Sequence, residues 1–254
     1  MTRNVRVLVA GVVGLALFGA FWELVVRVFD VRPFVLMPPS RIVAEFFDDP
    51  EPYLRATLVT AYHALAGLAI SLVCSVILGS LLATSKFAEE AAQPVLILVL
   101  VTPWVAYMSS LVIWLGAGDP PAIFLVAFVT LPAFTFAMIA GLRSADAAAR
   151  ELLASVDATR WEMLWRLRLP SATPTLFASA RFNVGLALAA AYFVEGGNLR
   201  RSGLGAIGKG AINASDGPIL WTTIASTAVL GILLLAVLTI LERTILRWHV
   251  SQRI

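Results

Sequence analysis

The side chains that could take part in chemistry are few in this 254-residue chain, and they are scattered. It has two histidines, His63 and His249, and one cysteine, Cys74. Protein zinc sites usually need three or four Cys, His or carboxylate ligands, and covalent catalysis needs a nucleophile beside a base. No such grouping occurs along the sequence, so we expect no metal site, no catalytic residues and no bound cofactor. His63 is expected to be a packed, neutral histidine.

One glycine-rich motif resembles a nucleotide-binding loop. The stretch GLGAIG covers Gly203–Gly208 and is followed by Lys209. Both the dinucleotide fingerprint and the phosphate loop require a strand before the glycines and a helix after them. Here an apolar segment precedes the motif, and Gly210 occupies the position where a phosphate loop has Ser or Thr. We therefore expect a flexible loop outside the membrane rather than a nucleotide site.

A charged stretch from Glu151 to Pro170, ELLASVDATRWEMLWRLRLP, interrupts two long apolar ones. Its apolar residues recur at helical spacing, first at Leu152, Leu153 and Val156, then at Trp161, Leu164 and Trp165. Proline disfavours helical geometry in the residue before it. The spacing predicts two short helices with a turn at Asp157-Ala158, ending at Leu169-Pro170. Such a pair could lie on lipid or fit a groove in another protein.

The remainder of the chain is apolar enough to span a membrane repeatedly. Its composition is 59% hydrophobic and only 14% charged, and apolar runs of about 18 or more residues can cross a bilayer as helices. The sequence predicts one all-α membrane domain over residues 1–254, with a loop at 143–170. The expected spans are 6–29, 57–84, 92–116, 121–142, 172–195 and 219–246.

The distribution of Arg and Lys predicts the orientation of these spans. The ends of the chain and the 143–170 loop carry more positive residues than the other side, which places them in the cytoplasm. Segment 30–55 is then outside, with an amphipathic helix after Pro38 and Pro39. Arg181 is expected near one end of the fifth span, where it can reach water.

Polar and aromatic residues in two of the spans are candidates for a translocation path. Proline bends a helix and frees backbone carbonyls, and Pro103 lies within the third span. Helix packing and an interfacial aromatic belt are the competing interpretations. Glu195 could gate the path, contact a partner or be a solvated acid at a helix end. The candidates are Thr102, Pro103, Trp104, Tyr107, Met108, Ser109, Tyr192 and Glu195.

These motifs, taken in order, resemble the permeases of binding-protein-dependent ABC importers, and especially the nitrate/sulfonate/taurine branch. The charged stretch is similar to the family's cytoplasmic loop, which has Gly where this chain has Asp157. LMPPSRIV, WLGAGDPPAI and SGLGAIG are similar to other segments of that branch. The resemblance covers nearly the whole chain. Because Asp accepts a left-handed turn less readily than Gly, three alternatives follow. Either the turn differs, or the matching groove is remodelled, or the chain is one half of a heterodimer with unequal loops.

The resemblance implies the fold of a type I importer permease in the bacterial plasma membrane. It implies a pair of ATP-binding subunits that use ATP and Mg, a second identical or related permease, and an extracytoplasmic binding protein, with no nucleic acid. Sulfonates, nitrate-like anions and nitrogen heterocycles are the implied solutes. A stand-alone carrier or channel is the alternative function. The residues implied to couple to the ATPase are Glu151, Val156, Asp157, Arg160, Trp161, Leu164, Trp165, Arg168 and Pro170.

Overall fold

The computed structural model describes residues 3–198 and 202–246; for residues 3–5, 7, 8 and 109 it describes the backbone alone. The regular elements of this part are all helical, which confirms the all-α prediction. The α-helices are α1 (Arg3–Val28), α2 (Pro39–Asp48), α3 (Pro50–Leu82), α4 (Lys86–Val101), α5 (Met108–Leu115), α6 (Asp119–Arg143), α7 (Ala147–Ser155), α8 (Arg160–Met163), α9 (Leu169–Gly197), α10 (Leu204–Ala214) and α11 (Gly217–Ile245).

Helices α3, α6 and α9 form the core, and small residues let them approach closely. A Cβ on Gly67 of α3 would overlap Val126 of α6, and one on Gly141 would overlap Ala172 at the start of α9. Interfaces between membrane helices favour small residues because apolar burial gives little drive in lipid. Ala64, Ala122, Ala187 and Ala191 are accordingly buried between these helices. The three long helices are therefore held together by close contacts between their backbones.

Within residues 3–198 and 202–246, five helices are long and apolar enough to cross a membrane, and a sixth span results if a bent pair is counted as one. The bent pair corrects the expected continuous span at 92–116. Helix α4 ends at Val101, a 3-10 turn occupies Trp104–Tyr107, and α5 follows at an angle of 82° to α4. Thr102 is extended, with ψ 132°, because the ring of Pro103 excludes helical geometry there.

The predicted helix end at Leu169-Pro170 is wrong. Helices α8 and α9 are joined by a π-helical segment, Leu164–Arg168, and form one apolar helix over Arg160–Gly197. In that segment the Leu169 N–H donates to the carbonyl of Leu164, five residues back. Proline lacks an N–H and crowds the carbonyl four residues before it. The wider π turn accommodates Pro170 without ending the helix.

A smaller expectation is also corrected. The motif Gly203–Gly208, expected to be a flexible loop, lies at the start of helix α10, which packs against α9 and α11. The side chain of Arg181 in α9 is 51% exposed and forms an ion pair with Glu242, in the last turn of α11. The amphipathic helix after Pro38 is confirmed as α2.

Helix α1 lies at the edge of this arrangement. Most of its large side chains are exposed, as Leu17 and Phe21 show. Its described contacts are concentrated near its end, where Trp22 meets Trp221 of α11 edge to face at 5.9 Å between ring centroids. Glu23 accepts hydrogen bonds from the backbone N–H (3.0 Å) and the hydroxyl (2.6 Å) of Ser40. The Glu23 carboxylate thereby ties α1 to the first turn of α2.

Candidate functional site

The turn between α7 and α8 has a defined geometry that depends on Asp157. The N–H of Ala158 donates to the carbonyl of Leu153 (3.0 Å), and the N–H of Asp157 donates to that of Ala154 (3.1 Å). This pair of bonds is the Schellman motif, which ends a helix with one left-handed residue. Asp157 has φ +54°. The turn itself therefore does not differ, because Asp157 adopts the left-handed conformation that a glycine would have.

The second helix of the pair begins with a reciprocal cap. The Thr159 hydroxyl accepts from the N–H of Glu162 (3.2 Å), while the Glu162 carboxylate accepts from the Thr159 N–H (3.0 Å). This capping box satisfies two backbone donors at the helix start. The backbone N–H of Thr159, followed by its hydroxyl, holds the pKa of Glu162 below its ordinary value. Hydrogen bonds thus fix the backbone at both the end of α7 and the start of α8.

Four large apolar side chains on this helix pair are exposed, and we call them the docking patch: Leu152, Val156, Trp161 and Trp165. Their exposed fractions are 67%, 68%, 66% and 55%. Trp161 and Trp165 contact each other edge to face, with ring centroids 5.4 Å apart. The patch therefore presents apolar area that no described residue covers.

The structure places the other predicted coupling residues in two groups. Glu151, Asp157 and Arg160 are exposed beside the docking patch. Leu164 points the other way and packs against the core cluster of Met138, Leu142 and Ala172. Arg168 and Pro170 are half-buried, and the Arg168 Nε is buried without a hydrogen-bond partner in the described structure. Leu164 is therefore not part of the exposed face on which the sequence analysis placed it.

The predicted translocation residues of the broken span pack against α6 and α9. Trp104 lies edge to face on Phe193 at 5.6 Å, and Tyr107 lies edge to face on Phe128 at 5.7 Å. The Thr102 hydroxyl donates to the carbonyl of Leu98 (2.6 Å) and so closes the end of α4. Pro103 is the residue at which α4 and the 3-10 turn separate. The side chain of Ser109 lies outside the described part of the chain.

Met108 and Tyr192 come together in space although 84 positions separate them in the sequence. They line a cavity of about 200 Å³ together with Phe193 and Lys209. The Tyr192 hydroxyl also lies 3.1 Å from the Thr223 hydroxyl of α11. The cavity therefore lies where the broken span, α9 and α10 meet.

Glu195 is the centre of a buried polar cluster that the sequence analysis missed. Its side chain is 1% exposed, which excludes the solvated helix-end acid. The Thr60 hydroxyl (2.8 Å) and the Gly205 N–H (3.0 Å) both donate to its Oε2 atom. The Leu204 N–H in turn donates to the Thr60 Oγ1 atom at 3.0 Å. Glu195 and Thr60 thus cap the first N–H groups of α10, whose own N-cap residue is Gly203.

His63 links this cluster to a second acid. Its Nδ1 atom lies 2.8 Å from Oε1 of Glu195, and its Nε2 atom lies 3.2 Å from Oδ1 of Asp119. An ionised carboxylate only accepts hydrogen bonds, so each of these two contacts requires a proton between the ring nitrogen and the carboxylate oxygen. Ionisable groups within membrane segments usually pair with one another. That rule is the feature from which a partner for His63 could have been predicted. The 132 positions between His63 and Glu195 hide the pairing from sequence patterns.

The chain belongs to the family of binding-protein-dependent transport system inner membrane components, whose family model matches residues 75–247. The riboflavin transport system permease protein of Chloroflexus aurantiacus is 30% identical over 94% of this chain and 90% of its own length. The taurine transport system permease protein of Escherichia coli is 25% identical over 92% of this chain and 88% of its own length.

Structural comparison gives the same fold. The inward-facing MetNI methionine ABC transporter matches with a TM-score of 0.63 and 18% identity, over 78% of this chain and 97% of the matched one. Together with the family, this confirms a permease subunit of an ATP-driven importer that works with a separate ATPase and a binding protein. The stand-alone carrier or channel is thereby set aside.

Proposed function

We propose that segment 143–170 is the face through which this permease engages its ATP-binding subunits, with the docking patch as the contact. The observation that carries the proposal is the rigid α7–α8 pair, closed by the Asp157 turn and the Thr159–Glu162 cap, which leaves two tryptophans exposed. Buried aromatic anchors dominate the binding energy of protein interfaces. The patch has the composition of such an anchor.

Charges around the docking patch favour a protein partner over a lipid surface. Glu151, Asp157 and Glu162 are interspersed with Arg160 and Arg166 around the apolar side chains. A helix lying on an anionic membrane carries mainly Lys and Arg on its polar face. Mixed charges suit a groove whose rim is equally mixed.

The arrangement of the whole importer follows from this assignment. Two permeases, identical or related, form the translocation path, and a pair of ATPase subunits binds below them. The chain itself binds no cofactor, since ATP and Mg belong to the ATPase. Both ends of the chain and segment 143–170 lie in the cytoplasm of a bacterium, and α2 and α10 lie on the side of the binding protein.

The solute is a small molecule delivered by that binding protein. The relatives are named for riboflavin, taurine and, for a protein of Halalkalibacterium halodurans, formylaminopyrimidine. All three molecules are small, and two contain planar rings. The aromatic residues of the broken span and α9, Trp104 and Phe193 among them, favour a solute with a flat or apolar part.

The proposal is tested by purifying the tagged chain gently from its own membranes and identifying what accompanies it. An ATP-binding cassette protein is expected, and the Trp165→Asp and Leu152→Asp variants are expected to lose about tenfold or more of it. Val35→Asp is the matched control, because Val35 is 65% exposed but lies in the connection between α1 and α2. Equal recovery of the ATPase with all three variants would exclude the docking patch.

The same preparation, reconstituted into liposomes with the binding protein, identifies the solute. We expect ATP-dependent uptake of at least one member of a panel of taurine, ethanesulfonate, riboflavin and formylaminopyrimidine. Absence of any ATPase, in a preparation that retains the ATPase of a control importer, would contradict the assembly itself.

A further inference from the structure

Two adjoining cavities meet at Lys209, on the face of α10 turned towards the end of α9. The first, of about 200 Å³, is lined by Met108, Tyr192 and Phe193. The second, of about 550 Å³, lies among Glu195, Asn213 and the backbone of Gly210. Gly196, Gly197 and Lys209 line both. The larger cavity falls within the roughly 300–1,000 Å³ typical of small-molecule sites.

Lys209 has no ion-pair partner among residues 3–198 and 202–246. The nearby acid, Glu195, is already engaged by Thr60, His63 and the Gly205 N–H. The Lys209 ammonium group is exposed and is therefore open to an anion at the junction of the two cavities. Glu195 also lines the larger cavity, but both of its carboxylate oxygens are engaged in these contacts.

Two glycines allow close packing beside Lys209. A Cβ on Gly197 would overlap the Met108 side chain, and one on Gly196 would lie 3.1 Å from the Gly205 carbonyl oxygen and 3.4 Å from the Lys209 Cβ. The two glycines let α9, α10 and the broken span approach while their backbone forms the cavity wall. The resulting site has an apolar wall on one side and a cation on the other.

We propose that this double cavity binds the anionic group of the transported solute, a carboxylate, sulfonate or phosphate, at Lys209. The apolar part of the solute lies against Met108, Tyr192 and Phe193. This inference rests on the proposed importer function and narrows its solute to small organic anions. The Lys209 of the glycine-rich motif thus contacts an anion, although the motif does not form a nucleotide loop.

The test measures access to a cysteine placed in the larger cavity. In a Cys74→Ala background, Asn213→Cys is labelled with an anionic and a cationic methanethiosulfonate reagent, using the permease purified with its ATPase in lipid nanodiscs. Benzoate and its neutral analogue benzamide serve as probes of the cavity. We expect benzoate to slow labelling at least threefold and benzamide to have no such effect. We also expect the anionic reagent to react faster than the cationic one.

Lys209→Gln is expected to abolish both the benzoate protection and the preference for the anionic reagent, whereas Lys209→Arg is expected to keep both. Val35→Cys, exposed in the α1–α2 connection, is the control and should be indifferent to residue 209. If Asn213→Cys does not fold, Gly210→Cys replaces it, because a Cβ there meets no atom within 4 Å.

Protection by benzoate and benzamide alike, or protection that survives Lys209→Gln, would overturn the anion site. Labelling requires neither ATP hydrolysis nor transport. A negative result therefore leaves the importer assignment standing, and loss of the ATPase partner leaves the labelling result interpretable.

Discussion

At the scale of single residues, the buried Glu195 carboxylate links several helices. This carboxylate accepts hydrogen bonds from the Thr60 hydroxyl of α3 and from a backbone N–H of α10, and it lies within hydrogen-bond distance of a ring nitrogen of His63. The other ring nitrogen of His63 contacts Asp119 at the start of α6. Four helices therefore depend on one side chain. Removing one partner from a buried charged pair costs about 3–5 kcal/mol, because the remaining charge stays buried.

We accordingly expect Glu195→Leu to lower the stability of the purified protein by several kcal/mol, measured as a large fall in apparent Tm in detergent. Glu51→Gln is the control: this acid pairs with Arg55 and is well exposed, and exposed pairs contribute about 0–1 kcal/mol. Similar melting curves for the two variants would mean that the Glu195 cluster does not hold the four helices together.

At the scale of elements, helix α10 is held by close backbone contact. A Cβ on Gly205 would overlap the carbonyl oxygen of Tyr192, and one on Gly208 would overlap the Tyr192 hydroxyl. Gly210, on the same helix, faces open space. The first two glycines are therefore required by the approach of α9, and the third is not.

Gly205→Ala is expected to displace α10 and to reduce solute uptake by about tenfold or more. Gly14→Ala in α1, where a Cβ also meets no atom within 4 Å, is expected to leave uptake intact. An Ala in place of an unconstrained helical Gly stabilises by about 0.5–1 kcal/mol, so the second variant should also melt slightly higher. Uptake by reconstituted importer and apparent Tm are the measurements. Equal behaviour of the two variants would contradict the close packing of α10 on α9.

The sequence predicted the elements whose signal is local. Long apolar runs marked the spans, and Pro103 marked the break in the third. The helix end predicted at Leu169-Pro170 was wrong because a π segment of five residues accommodates the proline within the helix. Amino-acid composition does not predict such a segment. Helix α10 was not predicted because its glycines are typical of a loop. Only the structure shows that they allow α9 to pack against it. Glu195 and His63 could be suspected individually, but only the fold brings them together.

At the scale of the whole molecule, one helix joins the two candidate sites. Residues Arg160–Gly197 form a continuous helix of 38 residues, about 57 Å long at 1.5 Å per residue. Trp161 and Trp165 of the docking patch lie at its start, and Glu195, Gly196 and Gly197 lie at its end beside Lys209. The helix exceeds the roughly 30 Å hydrocarbon core, so it is long enough to connect the two sides of a membrane.

A break in this helix should separate ATP hydrolysis from transport. Insertion of two glycines between Arg168 and Leu169 leaves the docking patch on α7 and α8 but weakens and rotates the connection. We expect the ATPase to co-purify and to hydrolyse ATP, while uptake falls by about tenfold or more.

The same insertion after Val35, in the connection between α1 and α2, is expected to keep uptake near normal. Full uptake with the break at Arg168 would show that the two ends communicate by another route.

The π segment also sets the rotation of α8 about the helix axis relative to α9. Each residue of an α-helix advances the chain by about 100° around its axis, so the additional residue of a π turn rotates everything after it by that amount relative to an unbroken α-helix. Deleting Leu167, which belongs to neither candidate site, would preserve every side chain of both sites and yet turn Trp161 and Trp165 by about 100° relative to α9. One residue of the π segment therefore sets the direction that the docking patch faces.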